Sequence, residues 1–224
     1  MAEIHGVAGE WARVKGTVAG LWPMFLGTFA AGFTVSVACF RSVGWGATLF
    51  AVSLIGIGIA LYRGLRHVER FFKGARGEER VAGILHALPD RYHVFNDFIA
   101  GSSHVDHVVV GPAGVFAVET KNWKGVVTIE EGRILIDGQL PTSSPLDLVL
   151  REAWQVKTAL ARSGWTGPVT PILAFASDTF KAHIAELQGA VVINASDLAK
   201  SFETDRVVIP PTELARLVSL IANT

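Results

Sequence analysis

The sequence predicts an α/β domain built on a mixed sheet, preceded by a two-helix transmembrane hairpin. Three observations carry that prediction. Two runs, Leu21–Phe40 and Val43–Tyr62, are uncharged and apolar all round, and each has the length, about 20 residues, that a helix needs to cross hydrocarbon. From residue 77 onward the hydrophobic periodicity switches between helix and strand spacing in the order helix, strands, helix, strands, helix. Within that alternation His104–Trp123, HVDHVVVGPAGVFAVETKNW, sets an aspartate, a glutamate and a lysine into two apolar runs. Unpaired charges are costly to bury in such company.

The bulk properties narrow the functional classes. At 224 residues the chain has room for one domain and an additional segment. Lys plus Arg number 20 and Asp plus Glu number 20, so no global basic field marks strong electrostatic capture of nucleic acid. A mean hydropathy of +0.39 is high for a soluble protein, and the excess is concentrated in the first third. Cys39 stands alone, which excludes an intrachain disulfide framework and a cysteine-based zinc cluster.

The N-terminal third reads as a cytoplasmic segment (1–17), a membrane hairpin (18–62) and a basic linker (63–76). Arg13 and Lys15 precede the first span; Arg63, Arg66, Arg70, Lys73, Arg76 and Arg80 follow the second. That distribution places both termini in the cytoplasm, with only Arg41 in the short turn opposing it, and makes the protein a two-span protein of the inner (plasma) membrane. Trp11, Trp22, Trp45 and Tyr62 fall near the expected headgroup depth. Gly27, Gly32, Gly56 and Gly58 are candidates for close approach of the two helices. Ser36-Val37-Ala38-Cys39 departs from a bacterial lipobox because Ser36 stands where an aliphatic residue belongs, so Cys39 reads as a small apolar residue of a span.

Gly77-Glu78-Glu79-Arg80 opens a helical pattern whose buried stripe is Val81, Ile84, Leu85 and Leu88, ending near Pro89. One turn back from Val81 lies Glu78, on that stripe, whereas Glu79 is rotated toward solvent. Tyr92–Ile99 reads as a strand, followed by a hairpin turning at Gly111-Pro112-Ala113-Gly114. Two shorter strands, Val126–Glu130 and Arg133–Ile136, join at Glu131-Gly132. A helix follows from Pro145 to Arg162, then strands at Val169–Ala176 and Val191–Asn194, and a helix at Pro211–Ala222.

Strand alternation puts Glu119 and Lys121 on one face, with Phe116, Val118 and Thr120 on the other. Pairing across the turn can bring Asp106 near Glu119. Two carboxylates a metal's width apart with a lysine on the same face are what metal-assisted phosphodiester cleavage needs. Hard oxygen ligands hold Mg²⁺, the ion activates a water, and the lysine positions that water or offsets developing charge. Glu78 could add a third oxygen ligand or act as a base. A structural ion pair on a sheet is the competing account of these residues. His104 shares a strand face with Asp106, making a histidine–aspartate metal site conceivable, while His107 reads as a hydrogen-bonded or half-buried ring. Trp123 reads as core or edge packing.

Gly77-Glu78, Val105–Gly111, Gly114–Trp123 and Gly125 together resemble the nuclease-related domain, NERD, of the PD-(D/E)xK nuclease-like superfamily. The resemblance covers roughly Glu78–Leu160 and implies a restriction-endonuclease-like core at residues 77–200, with 201–224 as a C-terminal helical segment. It matches Asp106, Glu119 and Lys121 to the superfamily's Asp, Glu and Lys, and Glu78 to its helix-borne acid. It further implies that Asp106, Glu119 and the main-chain carbonyl of Thr120 hold the metal, Mg²⁺ or Mn²⁺. The implied activity is hydrolysis of phosphodiester bonds in nucleic acid. One departure concerns the glutamine that such domains carry early in the helix after an Asn/Ser-Pro turn: this chain reads Ser144-Pro145-Leu146-Asp147-Leu148, with Gln155 about two turns later. The alternative function is a catalytically silent, membrane-tethered binding or scaffold module with a nuclease-like fold.

Overall fold

The structure, a computed structural model, describes residues 1–40, 42–101, 103–162, 164–203 and 207–222. Two compact units emerge: 11–73, and 1–10 together with 74–224. Arg41, the cation that opposes the expected orientation, lies outside the described residues.

The first unit holds two helices, α1 (Glu10–Cys39) and most of α2 (Val43–His86). Both are long and apolar enough to cross a membrane, and only 6% of each apolar window is buried within the protein. Phe25, Phe29, Phe33 and Ile55 all project into the surroundings. Four hydroxyls of these stretches are satisfied inside their own helix. Thr28, Thr34 and Ser36 each donate to the carbonyl four residues earlier at 2.8 Å, and Thr48 does so at 3.1 Å. Helix contact is closest at other glycines than those expected from the sequence. A Cβ on Gly64 would lie 2.3 Å from the Gly20 carbonyl oxygen, and one on Gly16 would meet the Phe71 ring, whereas Gly27, Gly32, Gly56 and Gly58 have open space around their Cα atoms. Gly27 and Gly56 instead line a cavity of about 220 Å³.

Residues 63–76, expected as a linker, are helical and continue α2 without a break into the second unit. Nothing in that stretch stops a helix: no proline lies between residue 63 and Pro89, and Arg, Leu, Lys, Ala and Glu are good helix formers. The end of the helix tightens, Ala87 and Leu88 donating to the carbonyls of Ile84 and Leu85 at 3.1 and 3.2 Å.

The second unit is α/β. Its strands are β1 (Glu3–His5), β2 (His93–Ala100), β3 (Ser103–Gly111), β4 (Gly114–Lys121), β5 (Val127–Glu130), β6 (Arg133–Ile136), β7 (Val169–Phe175), β8 (Ile184–Leu187) and β9 (Ala190–Asn194). Helices α3 (Pro145–Arg162) and α4 (Pro211–Ala222) and a 3₁₀ helix at Ala195–Phe202 complete it. Seven strands form one mixed sheet in the order β1-β2-β3-β4-β7-β9-β8, while β5 and β6 pair separately. Helix α3 lies in the crossover between β4 and β7, which run parallel as such a connection requires. Ser144 caps α3, its hydroxyl accepting from the Asp147 amide at 3.2 Å, with Pro145 in the first turn.

Both faces of the sheet are covered, so the central strands are apolar on both sides. On one face Val81, Leu85 and Leu88 of α2 pack with Phe116, Val118, Ile172 and Ile193. On the other, Ala153, Val156 and Leu160 of α3 and Leu214, Leu217 and Ile221 of α4 pack with Val110, Val115 and Ala117. Fully burying each aliphatic side chain contributes about 1.5–3 kcal/mol. β1, β8 and the 3₁₀ helix were not anticipated from the sequence; β1 and β8 are 3 and 4 residues long, too short for periodicity to register.

A buried carboxylate cluster where two strands part

β3 and β4 pair from the turn as far as His107 opposite Val118, and the ladder stops there. β4 runs on beside β7 to Lys121. At the fork, the next residue of each strand is an acid, Asp106 and Glu119. The Thr120 amide donates to Asp106 Oδ2 at 2.7 Å. A side-chain carboxylate thus takes over an amide that a continued ladder would have used.

Val115 and Ala117 face α3, and alternation carries Glu119 and Lys121 to that same face, as expected. Lys121 Nζ donates to Glu119 Oε1. From α3, Glu152 reaches the same carboxylate and shares a hydrogen bond with it. From the far end of α2, Glu78 arrives at the strand ends because Gly77 packs directly on them. A Cβ at Gly77 would sit 2.7 Å from that of Asn122 and 3.2 Å from that of Ala176. The structure therefore brings together Glu78, Asp106, Glu119 and Lys121, all four of the residues singled out above, and adds Glu152. The last gave no sequence signal beyond being an acid on the apolar stripe of α3, between Val149 and Val156.

Electrostatics reflects this crowding of acids. Asp106, Glu119, Glu78 and Glu152 are 8, 5, 8 and 3% exposed. Burial raises the pKa of Asp106 well above the usual aspartate value, with Glu119 and Glu78 adding to the rise and the Thr120 amide and Lys121 opposing it. Burial lifts Glu78 to about 7, helped by Asp97 and Glu119. Glu152 is pushed up to about 9 by burial and then by Glu119. For Lys121, burial alone would lower the pKa, but Glu119, Asp106 and Glu152 outweigh it and raise it. At neutral pH, then, Glu152 keeps its proton and Glu78 shares one with solvent.

Two observations test whether a divalent cation suits this site. Glu78 Oε2 and Glu152 Oε2 are buried carboxyl oxygens with no hydrogen-bond partner, and neighbouring carboxylates add to the rise that burial causes in the pKa values of Asp106, Glu78 and Glu152. Both are what a cation would relieve, and oxygen donors are the ligands that Mg²⁺ prefers. The donor set fits. The carboxylates have not closed into a cage, however: among the described residues the trio whose ligand atoms all lie within 4.8 Å of one another is Glu3, His5 and His93. Glu119 is engaged by the Lys121 ammonium instead.

The neighbouring histidines are structural or paired elsewhere. His107 is fully buried, its Nδ1 2.7 Å from Asn96 Oδ1, so Nδ1 carries the proton and donates. Burial holds its pKa down at about 4. His104 Nε2 lies 3.1 Å from Asp97 Oδ1, not on Asp106. Asp97 itself has φ of 53°, in the left-handed region, opposite the end of the β3 fork. Trp123 packs on Phe175, ring centres 5.6 Å apart, as edge packing. Gln155 sits one turn beyond Glu152 on α3, its Oε1 3.0 Å from where a Cβ on Gly101 would stand, in the turn between β2 and β3. Clefts of about 320 and 560 Å³ run along the β5–β6 hairpin and the loop before α3; none of the four acids lines them, though Trp123 lines the larger.

Comparison with known proteins agrees with this architecture. Residues 73–176 match the family described as nuclease-related domain, NERD. An uncharacterized protein of Bacillus anthracis is 34% identical over 84 residues, which is 34% of this chain and 39% of that protein. The matched region therefore spans well under half of the relative's length. No solved structure matches the chain.

Proposed function

We propose, from the nuclease-related domain that residues 73–176 carry, that this protein is a membrane-anchored phosphodiesterase acting on nucleic acid with Mg²⁺ or Mn²⁺. The observation that carries the reading is the set of four buried carboxyl groups around a single ammonium where β3 and β4 part. A structural ion pair would need one acid for one lysine. Three extra buried acids only raise the cost of the site unless it serves a cation.

Asp106, Glu119 and the Thr120 carbonyl would hold the ion, which when bound would polarise a phosphoryl oxygen and lower the pKa of a water. Lys121, the most exposed member of the cluster with 23% of its side chain accessible, would meet the phosphate and offset its developing charge. Glu78, with a pKa of about 7, is poised to take a proton from the attacking water near neutral pH. The Thr120 amide fixes the Asp106 carboxylate and Glu152 fixes that of Glu119, so neither needs to reorganise. The larger cleft, reaching Trp123 two residues past Lys121, offers a path for a strand.

α1 and α2 would span the inner membrane with both termini cytoplasmic. Their exposed apolar faces and self-satisfied hydroxyls support this, since lipid offers no partner for a hydroxyl. The test of function is cleavage of DNA and RNA by the detergent-solubilised full chain with Mg²⁺ or Mn²⁺. Activity that survived both Asp106→Ala and Lys121→Ala would exclude the site, and an inactive wild type would favour the scaffold reading. Orientation is checked by labelling Ser42→Cys, in the short turn between the helices, in a Cys39→Ser background with a membrane-impermeant maleimide. Labelling from outside intact cells is expected.

A further inference from the structure

The N-terminal strand brings a second group of ligands to an edge of the sheet. β1 pairs in parallel with β2 in the register Glu3 to His93, Ile4 to Val94 and His5 to Phe95. Residues two apart share a strand face, so Glu3 and His5 present their side chains together, and the register sets His93 beside Glu3. Glu3 Oε1 lies 3.7 Å from His5 Nε2, and Glu3 Oε2 lies 3.3 Å from His93 Nδ1. All three ligand atoms fall within 4.8 Å of one another.

The nitrogens are not spent on hydrogen bonds. His5 Nε2 and His93 Nδ1 are both buried atoms without a hydrogen-bond partner, although a carboxylate stands close to each. Buried polar atoms in folded proteins are rarely left unsatisfied. The rings are held in place: His5 stacks on Phe95 with centres 4.4 Å apart and planes 10° apart, and on His93 at 6.1 Å. A tetrahedral ion with bonds of about 2.0–2.2 Å sets its ligands about 3.3–3.6 Å apart, close to the 3.7 and 3.3 Å between Glu3 and the two rings.

We propose that Glu3, His5 and His93 form a binding site for a borderline-soft divalent transition metal, zinc foremost, that clips the N-terminal strand to the sheet edge. Two imidazoles and one carboxylate select Zn²⁺ over Mg²⁺, which takes oxygen ligands. Glu3, with 62% of its side chain exposed, leaves the fourth position to water. A clip is physically useful at this place. β1 has three residues and is held by one ladder, with Ala2 and Glu3 adding amide bonds to the His86 and Tyr92 carbonyls at 3.1 and 3.0 Å. Short terminal strands fray unless tied down. This site stands apart from the carboxylate cluster and does not depend on cleavage.

The test uses the tag-free full chain in detergent, stripped with chelator and reloaded with Zn²⁺, or with Co²⁺ for its visible spectrum. One equivalent of Zn²⁺ per chain is expected in the wild type and in Asp106→Ala. It should be lost in His5→Ala and His93→Ala and bound more weakly in Glu3→Gln, whose exposed position spares the fold. Zn²⁺ should also slow hydrogen exchange of the β1 and β2 amides. A wild type that retains no Zn²⁺, histidine variants that bind it as well as wild type, or loss of Zn²⁺ only in Asp106→Ala would each overturn the proposal.

Discussion

Glu152 on α3 and Glu119 on β4 share one hydrogen bond although both are carboxyl groups, which requires one of them to hold a proton; the group pushed up to about 9 is Glu152. Folding thus binds a proton that the unfolded chain, with an ordinary glutamate value of 4.5, releases. A folded-state pKa raised above the unfolded value gives stability that is complete below about pH 4.5 and is lost as pH rises through about 9. Glu152→Gln keeps a donor for Glu119 and removes the titration. In metal-free protein the variant should be more stable than wild type at pH 9 by at least about 1 kcal/mol, since one pKa unit corresponds to ~1.4 kcal/mol. Urea unfolding across the pH range measures it; a constant gap between the two proteins would refute the assignment.

His107 should show the opposite sign. Its folded pKa of about 4 lies below the unfolded 6.5, so the stability it confers at neutral pH is lost as pH falls from about 6.5 toward about 4. His107→Gln carries no such titration. The stability gap between wild type and this variant should narrow over that acid window, read by the same unfolding experiment.

Asp106 has two roles that substitution can separate. Asp106→Ala leaves the buried Thr120 amide without its acceptor, costing about 1–3 kcal/mol of stability. Asp106→Asn retains an oxygen for that amide, so its melting temperature should stay near wild type. Its cleavage rate should nevertheless fall about 100-fold or more, the scale for removing one electrostatic contact to a transition state. Equal activity of Asn and wild type would dismiss the carboxylate from the chemistry.

Gly77→Ala sets helix propensity against packing. Alanine favours a helix interior by about 1 kcal/mol, yet its Cβ would stand 2.7 Å from the Asn122 Cβ. Overpacking of this kind costs about 1–3 kcal/mol, and any shift of α2 carries Glu78 away from the strand ends. Lower thermal stability together with reduced cleavage is expected. A stabilised, fully active variant would show that α2 is free to move there.

Much of the candidate site was legible in the chain because its chemistry is local. Alternation along β4 puts Glu119 and Lys121 on one face, and a four-residue turn sets Asp106 opposite. The helical stripe through Val81 points Glu78 inward. Glu152 lies on the apolar stripe of α3, but which strand residues that stripe meets is set by the crossover, so its pairing with Glu119 was not legible. Nor was the continuity of α2, where a run of cations after the second span suggested a linker, while the tight seat of Gly77 on Asn122 explains that glycine in a helix.

Short-range pattern by itself determined the two apolar helices, the strand and helix alternation and three of the acids, because hydrophobic period and residue type act over one or two turns. Tertiary structure alone decided that β3 and β4 part at Asp106, that α3 delivers Glu152 to Glu119, and that Glu3 and His5 meet His93. Those groups lie far apart in sequence, and only the register of non-local strands and the crossover of a helix bring them within bonding distance.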